Sequence, residues 1–149
     1  MTYEQELKWI LERQLGWISA ADTKLLILTP LATAMLGSSF SHISTDTLSL
    51  DCELLPFILS TAALGMSLFF SLSAIISRTN GPTQSLIFFG SISRMRMEDF
   101  KSSLQRGEPY EVIDDIASQI HRNAEIAAIK HTAIKRATYS LRSGLTTSR

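Results

Sequence analysis

The sequence predicts an all-α membrane protein that assembles as a helical oligomer. The expected parts are an N-terminal amphipathic helix, two transmembrane helices and a C-terminal cytoplasmic helical region with one long helix. Three observations predict this. Residues 54–77, LLPFILSTAALGMSLFFSLSAIIS, hold no charge over 24 positions, and about 20 mostly apolar residues span a hydrocarbon core. Residues 25–45 are uncharged as well, and are most apolar from Leu25 to Met35. The charges, 14 basic and 14 acidic, cancel in sum but are segregated along the chain. Three basic residues precede Leu25 and 11 lie from Arg78 onward, whereas the segment between the apolar runs carries Asp46, Asp51 and Glu53 and no Lys or Arg.

Residues 1–16 are expected to form the amphipathic helix. Leu7, Ile10, Leu11 and Gln14 fall on one face with Trp17 and Ile18, which suits a helix lying on the inner leaflet or running into the first span. Trp9 and Trp17 suit the interfacial zone. Residues 17–40 are the first span. It opens with Asp22 and Lys24 and contains Pro30. Asp22, Thr29, Thr33 and Gly37, spaced seven, four and four apart, are expected to share one face. Lipid gives such a stripe nothing, so it is assigned to a pore: Thr29 and Thr33 on the wall, Asp22 and Lys24 at the cytoplasmic mouth, Pro30 as a gating kink. The ATA of residues 32–34 resembles a signal-peptide cleavage site, but the acidic Glu4, Glu6 and Glu12 before it argue against that reading.

Residues 41–53 form a short external loop whose lone Cys52 has no intrachain partner. Residues 54–77 are the second span, with Ser60, Ser67 and Ser71 on one face. That face serves either close helix packing or the pore. The positive-inside rule puts both termini in the cytoplasm. Two spans enclose no pore alone, so conduction demands several copies.

Residues 78–149 form the cytoplasmic region. Asn80-Gly81-Pro82 marks a turn, and residues 84–105 read as a second amphipathic stretch whose Phe88 and Phe89 dock at the membrane. Pro109 suits the first position of a helix that runs uninterrupted to about Leu141. Along it, Ile113, Ile120, Ala127, Ile134 and Leu141 recur every seven residues, with Ile116, Asn123, Lys130 and Ala137 as a companion row. A heptad seam wants a partner helix, and another copy of the chain supplies one.

No hydrolase or transferase constellation is present. His42, His121 and His131 share no face, there is no paired-cysteine site, no Gly-rich phosphate loop and no nucleophile elbow. The expectation is a protein that is not an enzyme and holds neither metal nor cofactor. Ligand chemistry is most plausible on QIHRNAEIAAIKHTAIKRA, residues 119–137. Its cations read either as a solvated face near a helix C-terminus or as an anion site. Asn123 and Lys130 lie on the apolar row, where they fix register or contact an anionic ligand from several subunits. Arg122 and His131 flank them, and Arg94 and Arg96 add phosphate contacts or face lipid headgroups.

Three stretches, WISAADTKLLIL (17–28), SLIFFGSIS (85–93) and QIHRNAEIAAIKHTAIKRA (119–137), together resemble the two-span membrane effectors of bacterial antiphage operons. That group includes Pycsar transmembrane effectors and the channel component of Hailong-type systems. The resemblance implies a co-encoded cyclase or nucleotidyltransferase that makes a nucleotide or short oligonucleotide messenger. It also implies an effector in the bacterial inner membrane that depolarises the infected cell and halts its growth. By position, Asp22 and Lys24 belong to the first motif, Phe88 and Phe89 to the second, and Asn123, Lys130 and His131 to the third. The expected partners are therefore the messenger, membrane lipid and further copies of the chain, a tetramer among the arrangements. The alternative is a membrane anchor or adaptor that recruits a cytoplasmic partner without a pore.

Overall fold

The computed structural model describes residues 2–41, 54–76, 85–106 and 109–147. They form helices α1 (Tyr3–Ser41), α2 (Leu54–Ile75), α3 (Phe89–Ile92), α4 (Met97–Arg106) and α5 (Pro109–Thr147), with no strand among the described residues. The external loop with His42, Asp46, Asp51, Cys52 and Glu53 lies outside them, as do the turn at 80–82 and the break at 107–108. α1 and α2 are both long and apolar enough to cross a membrane. α1 joins the expected amphipathic helix and first span into one helix of 39 residues, about twice the length a span requires. It continues through Pro30, whose ring leaves the helix one hydrogen bond short.

The chain divides into two units, one from Met1–Ser19 and Ser77–Ala128, the other from Ala20–Ile76 and Ile129–Arg149. In the second unit, α1 from Ala20, α2, and α5 from Ile129 pack as three helices. Ala21 and Leu25 of α1, Ala74 of α2 and Ile134 of α5 form one apolar cluster. Ala32, Leu64 and Leu141, again one from each helix, form another. Ser67 Oγ donates to the carbonyl of Ala137 at 2.9 Å and Ser60 Oγ to that of Gly144 at 3.0 Å. As the α2 number falls by seven the α5 number rises by seven, so these helices are antiparallel and in strict register. Small residues allow the approach: a Cβ on Gly144 would sit 3.1 Å from Leu64 Cγ.

The heptad row of α5 is its buried face here. Ile134, Ala137 and Leu141 are all buried, and the helices they meet are this chain's own α1 and α2. The seam that suggested a second copy is filled, over this half, from within the protomer. The serine face of α2 likewise serves packing, since Ser60 and Ser67 donate to α5. Residues 129–147, part of the expected cytoplasmic region 78–149, thus lie along both candidate spans.

In the first unit, Ser85 organises the SLIFFGSIS stretch. Its Oγ accepts from the backbone of Phe88 at 2.8 Å, from that of Ile87 at 3.1 Å, and from Gln119 Nε2 at 3.1 Å. The Leu86 amide donates to Asp115 Oδ2 at 2.8 Å. A serine hydroxyl folding back on nearby amides is the usual way to start a turn without a ladder, and here it also pins the turn to α5. Phe88 is half-buried, while Phe89 is exposed with its ring 4.9 Å from that of Phe88.

Candidate functional site

One residue expected at the pore mouth meets one expected to bind ligand. Lys130 Nζ donates to Asp22 Oδ1, an ion pair between positions 108 apart in sequence. The lysine is 8% exposed and the aspartate 48%. The heptad position turns Lys130 into the three-helix interior, where an ammonium without a counter-charge is costly. Asp22 stands about one turn before the buried Leu25, at the edge of that interior. The pair therefore ties the start of the apolar part of α1 to α5. Any anion offered to Lys130 competes with Asp22 for it.

The rest of the stripe keeps within about 80° of arc, since its steps of seven, four and four turn the helix by about −20°, +40° and +40°. It runs along the edge of the buried face of α1, so its members differ in exposure. Thr29 is half-buried with its hydroxyl enclosed and without a hydrogen-bond partner among the described residues. Thr33 is exposed, its hydroxyl donating to the Thr29 carbonyl at 2.9 Å, and Gly37 lies in open space. Pro30 and Lys24 are exposed too.

The other ligand candidates divide between the units. Arg122 and Asn123 belong to the first, both half-buried. Arg122 donates to Glu125 Oε2 at 2.7 Å, and its Nε is buried without a partner among the described residues. That hydrogen bond is the main reason the Glu125 carboxyl titrates below its usual value, with the charges of His121 and Arg122 adding to it against a desolvation penalty. Glu125 thus holds Arg122 above the ordinary carboxylate range and releases it only as pH falls through the lowered value. Arg96 lies 3.5 Å from Glu98 on the surface, a pair worth little, and Arg94 is exposed. His131 is in the second unit and exposed. Among the described residues no three His, Cys, Asp or Glu side chains gather as a metal site would require.

Sequence reasoning missed the pairing of Asp22 with Lys130, because nothing local connects them. It also missed Glu125 as a partner of Arg122, although an i,i+3 acid–base pair on a helix is a readable signal. The anchoring trio of Ser85, Asp115 and Gln119 escaped notice for lack of any pattern in their spacing. Residues 6–148 match the family model described as the Pycsar effector protein domain. No curated protein and no solved structure matches the chain.

Proposed function

The chain belongs to the Pycsar effector family, a transmembrane effector of antiphage defence, and we propose that it works as a nucleotide-switched, homo-oligomeric pore. Opened, the pore depolarises the bacterial inner membrane and stops growth of the infected cell. The chain itself catalyses nothing in this reading. A co-encoded cyclase or nucleotidyltransferase makes the nucleotide or short oligonucleotide, and the effector answers it. The charge asymmetry supports an acidic loop outside and places the N-terminus and the end of α2 at the cytoplasmic side. The antiparallel register then carries α5 from Ile129 along the spans toward the loop side, so the expected cytoplasmic C-terminus is not kept in this reading.

The observation that carries the proposal is the Asp22–Lys130 pair. It connects the helix expected to sense an anion to a helix apolar enough to span. A phosphate contacting Lys130 weakens its hold on Asp22, and a ligand with unequal affinity for two states shifts their populations by that difference. Arg122 and Asn123, with Arg94 and Arg96, offer phosphate and hydrogen-bonding contacts in the first unit. Lys24, Thr33 and Pro30 are the exposed features of α1 for the pore mouth and wall, with Thr29 behind them.

The test is native mass spectrometry of the detergent-solubilised effector co-expressed with its cyclase or nucleotidyltransferase. A nucleotide mass on the wild-type assembly that disappears in Arg122→Ala or Lys130→Ala is the expected result. An identical bound mass in both variants contradicts the assignment of the site to α5. A protein that assembles but carries no nucleotide under any condition favours the anchor reading.

A further inference from the structure

The second half of α5 has an exposed face that neither the spans nor the ligand reading uses. From residue 126 to residue 149 the sequence contains five Lys or Arg and no Asp or Glu. Lys130 is consumed by Asp22. Lys135, Thr138, Tyr139 and Arg142 are exposed, opposite the buried row of Ile134, Ala137 and Leu141.

Depth is what makes this face unusual. The hydrogen bonds from Ser67 to Ala137 and from Ser60 to Gly144 set the register of α5 against α2. By that register Lys135 lies level with residue 69 of α2 and Arg142 with residue 62, both well inside the uncharged run 54–77. Leu141, beside Arg142, packs with Ala32 of α1 and Leu64 of α2. The neighbouring faces of α1 and α2 are apolar and exposed, with Leu26, Ile27, Leu31, Met66 and Phe69 outward, as lipid requires. Cations held near the middle of a span face a bundle interior or a water-filled cavity, not hydrocarbon. The Thr138 hydroxyl is satisfied by the Ile134 carbonyl at 2.9 Å, but a helix exposing cations at that depth needs water.

We infer that residues 135–142 of α5 form the wall of a water-filled path through the membrane-level assembly, and that this path attracts small inorganic anions. The inference rests on the pore reading above and deepens it. It moves the polar lining from the threonines of α1 to α5 and fixes the sign of the favoured ion. Lys135 and Arg142 concentrate anions along the path, and Tyr139, whose ring centroid lies 6.0 Å from the Lys135 ammonium, is between them in sequence.

Cysteine accessibility tests this whether or not the pore is open. In a Cys52→Ser background, Tyr139→Cys, Thr138→Cys and Met66→Cys are made in the full chain and reconstituted into phosphatidylethanolamine–phosphatidylglycerol vesicles. Each is treated with an anionic sulfonate and a cationic ammonium methanethiosulfonate of known intrinsic rates. The expected result is modification at 138 or 139 but not at 66. The anionic reagent should be favoured about tenfold after correction for intrinsic rate, and the preference should fall when Lys135→Gln and Arg142→Gln are added. Protection of both α5 cysteines equal to that of Met66→Cys, or preference for the cationic reagent, overturns the inference. Ion flux accompanied by protected α5 cysteines leaves the pore reading standing and sinks only this one. Reactive α5 cysteines without flux under any condition uphold the water path and remove the pore.

Discussion

Asp22→Ala destabilises the folded protomer by about 3 kcal/mol, and Lys130→Met by about 1 kcal/mol. The two substitutions break the same pair but leave different remnants. Without Asp22, a lysine that is 8% exposed keeps its charge inside a three-helix core with no counter-ion. Without Lys130, a carboxylate that is 48% exposed is left to hydrate, and the methionine fills the vacated volume. The asymmetry follows from exposure, not from the strength of the pair, and it is discounted for solvent on the aspartate side. Thermal unfolding in mild detergent, followed by helical circular dichroism, measures both. Equal losses would mean that Lys130 reaches water by another route.

Gly144→Leu is expected to cost about 1–3 kcal/mol by overpacking and to loosen the end of α5. A Cβ at this position already meets Leu64 Cγ at 3.1 Å, Leu64 Cδ2 at 3.2 Å and the Ser60 carbonyl at 3.4 Å. The leucine branches have nowhere to go without parting the helices, which would also strain the Ser60 hydrogen bond to Gly144. Gly144→Ala should be close to neutral. Its single methyl requires the buried Leu64 side chain to give by a few tenths of an ångström, and a gain in helix propensity of about 1 kcal/mol offsets that. Thermal unfolding in mild detergent, followed by helical circular dichroism, reports the difference: a lowered midpoint in the leucine variant, a wild-type midpoint in the alanine variant. A wild-type midpoint in the leucine variant would contradict the packing of α5 on α2.

Much of the helix content was legible because it rests on local signals. The uncharged run of residues 54–77 became α2, and Pro109 opened α5 as a first-turn proline does. From Ala127 onward the heptad rows gave the buried face of α5, with Ala127, Lys130, Ile134, Ala137 and Leu141 all buried, whereas Ile113, Ile120 and Asn123 before it are half-buried. What covers that face was not legible. A periodic seam states that a partner exists but not whether it lies in another copy or 108 residues earlier in the same chain. Asp22 and Lys130 were each singled out for being polar where apolar residues belong, and only the fold shows that each explains the other. The threonine stripe was legible as a face, but it runs along the border of the buried side of α1, and spacing alone did not say that Thr29 is half-buried and Thr33 exposed.

The most direct measurement of the central claim is ion flux from vesicles holding the purified effector, read with a potential-sensitive dye. It is made with and without the product of the co-encoded cyclase or nucleotidyltransferase. The account predicts a dissipated potential in one of those conditions and a maintained one in the other, with Asp22→Ala abolishing the difference. A potential that holds in both conditions, from protein shown to be inserted and assembled, would contradict the pore and leave the membrane anchor in its place.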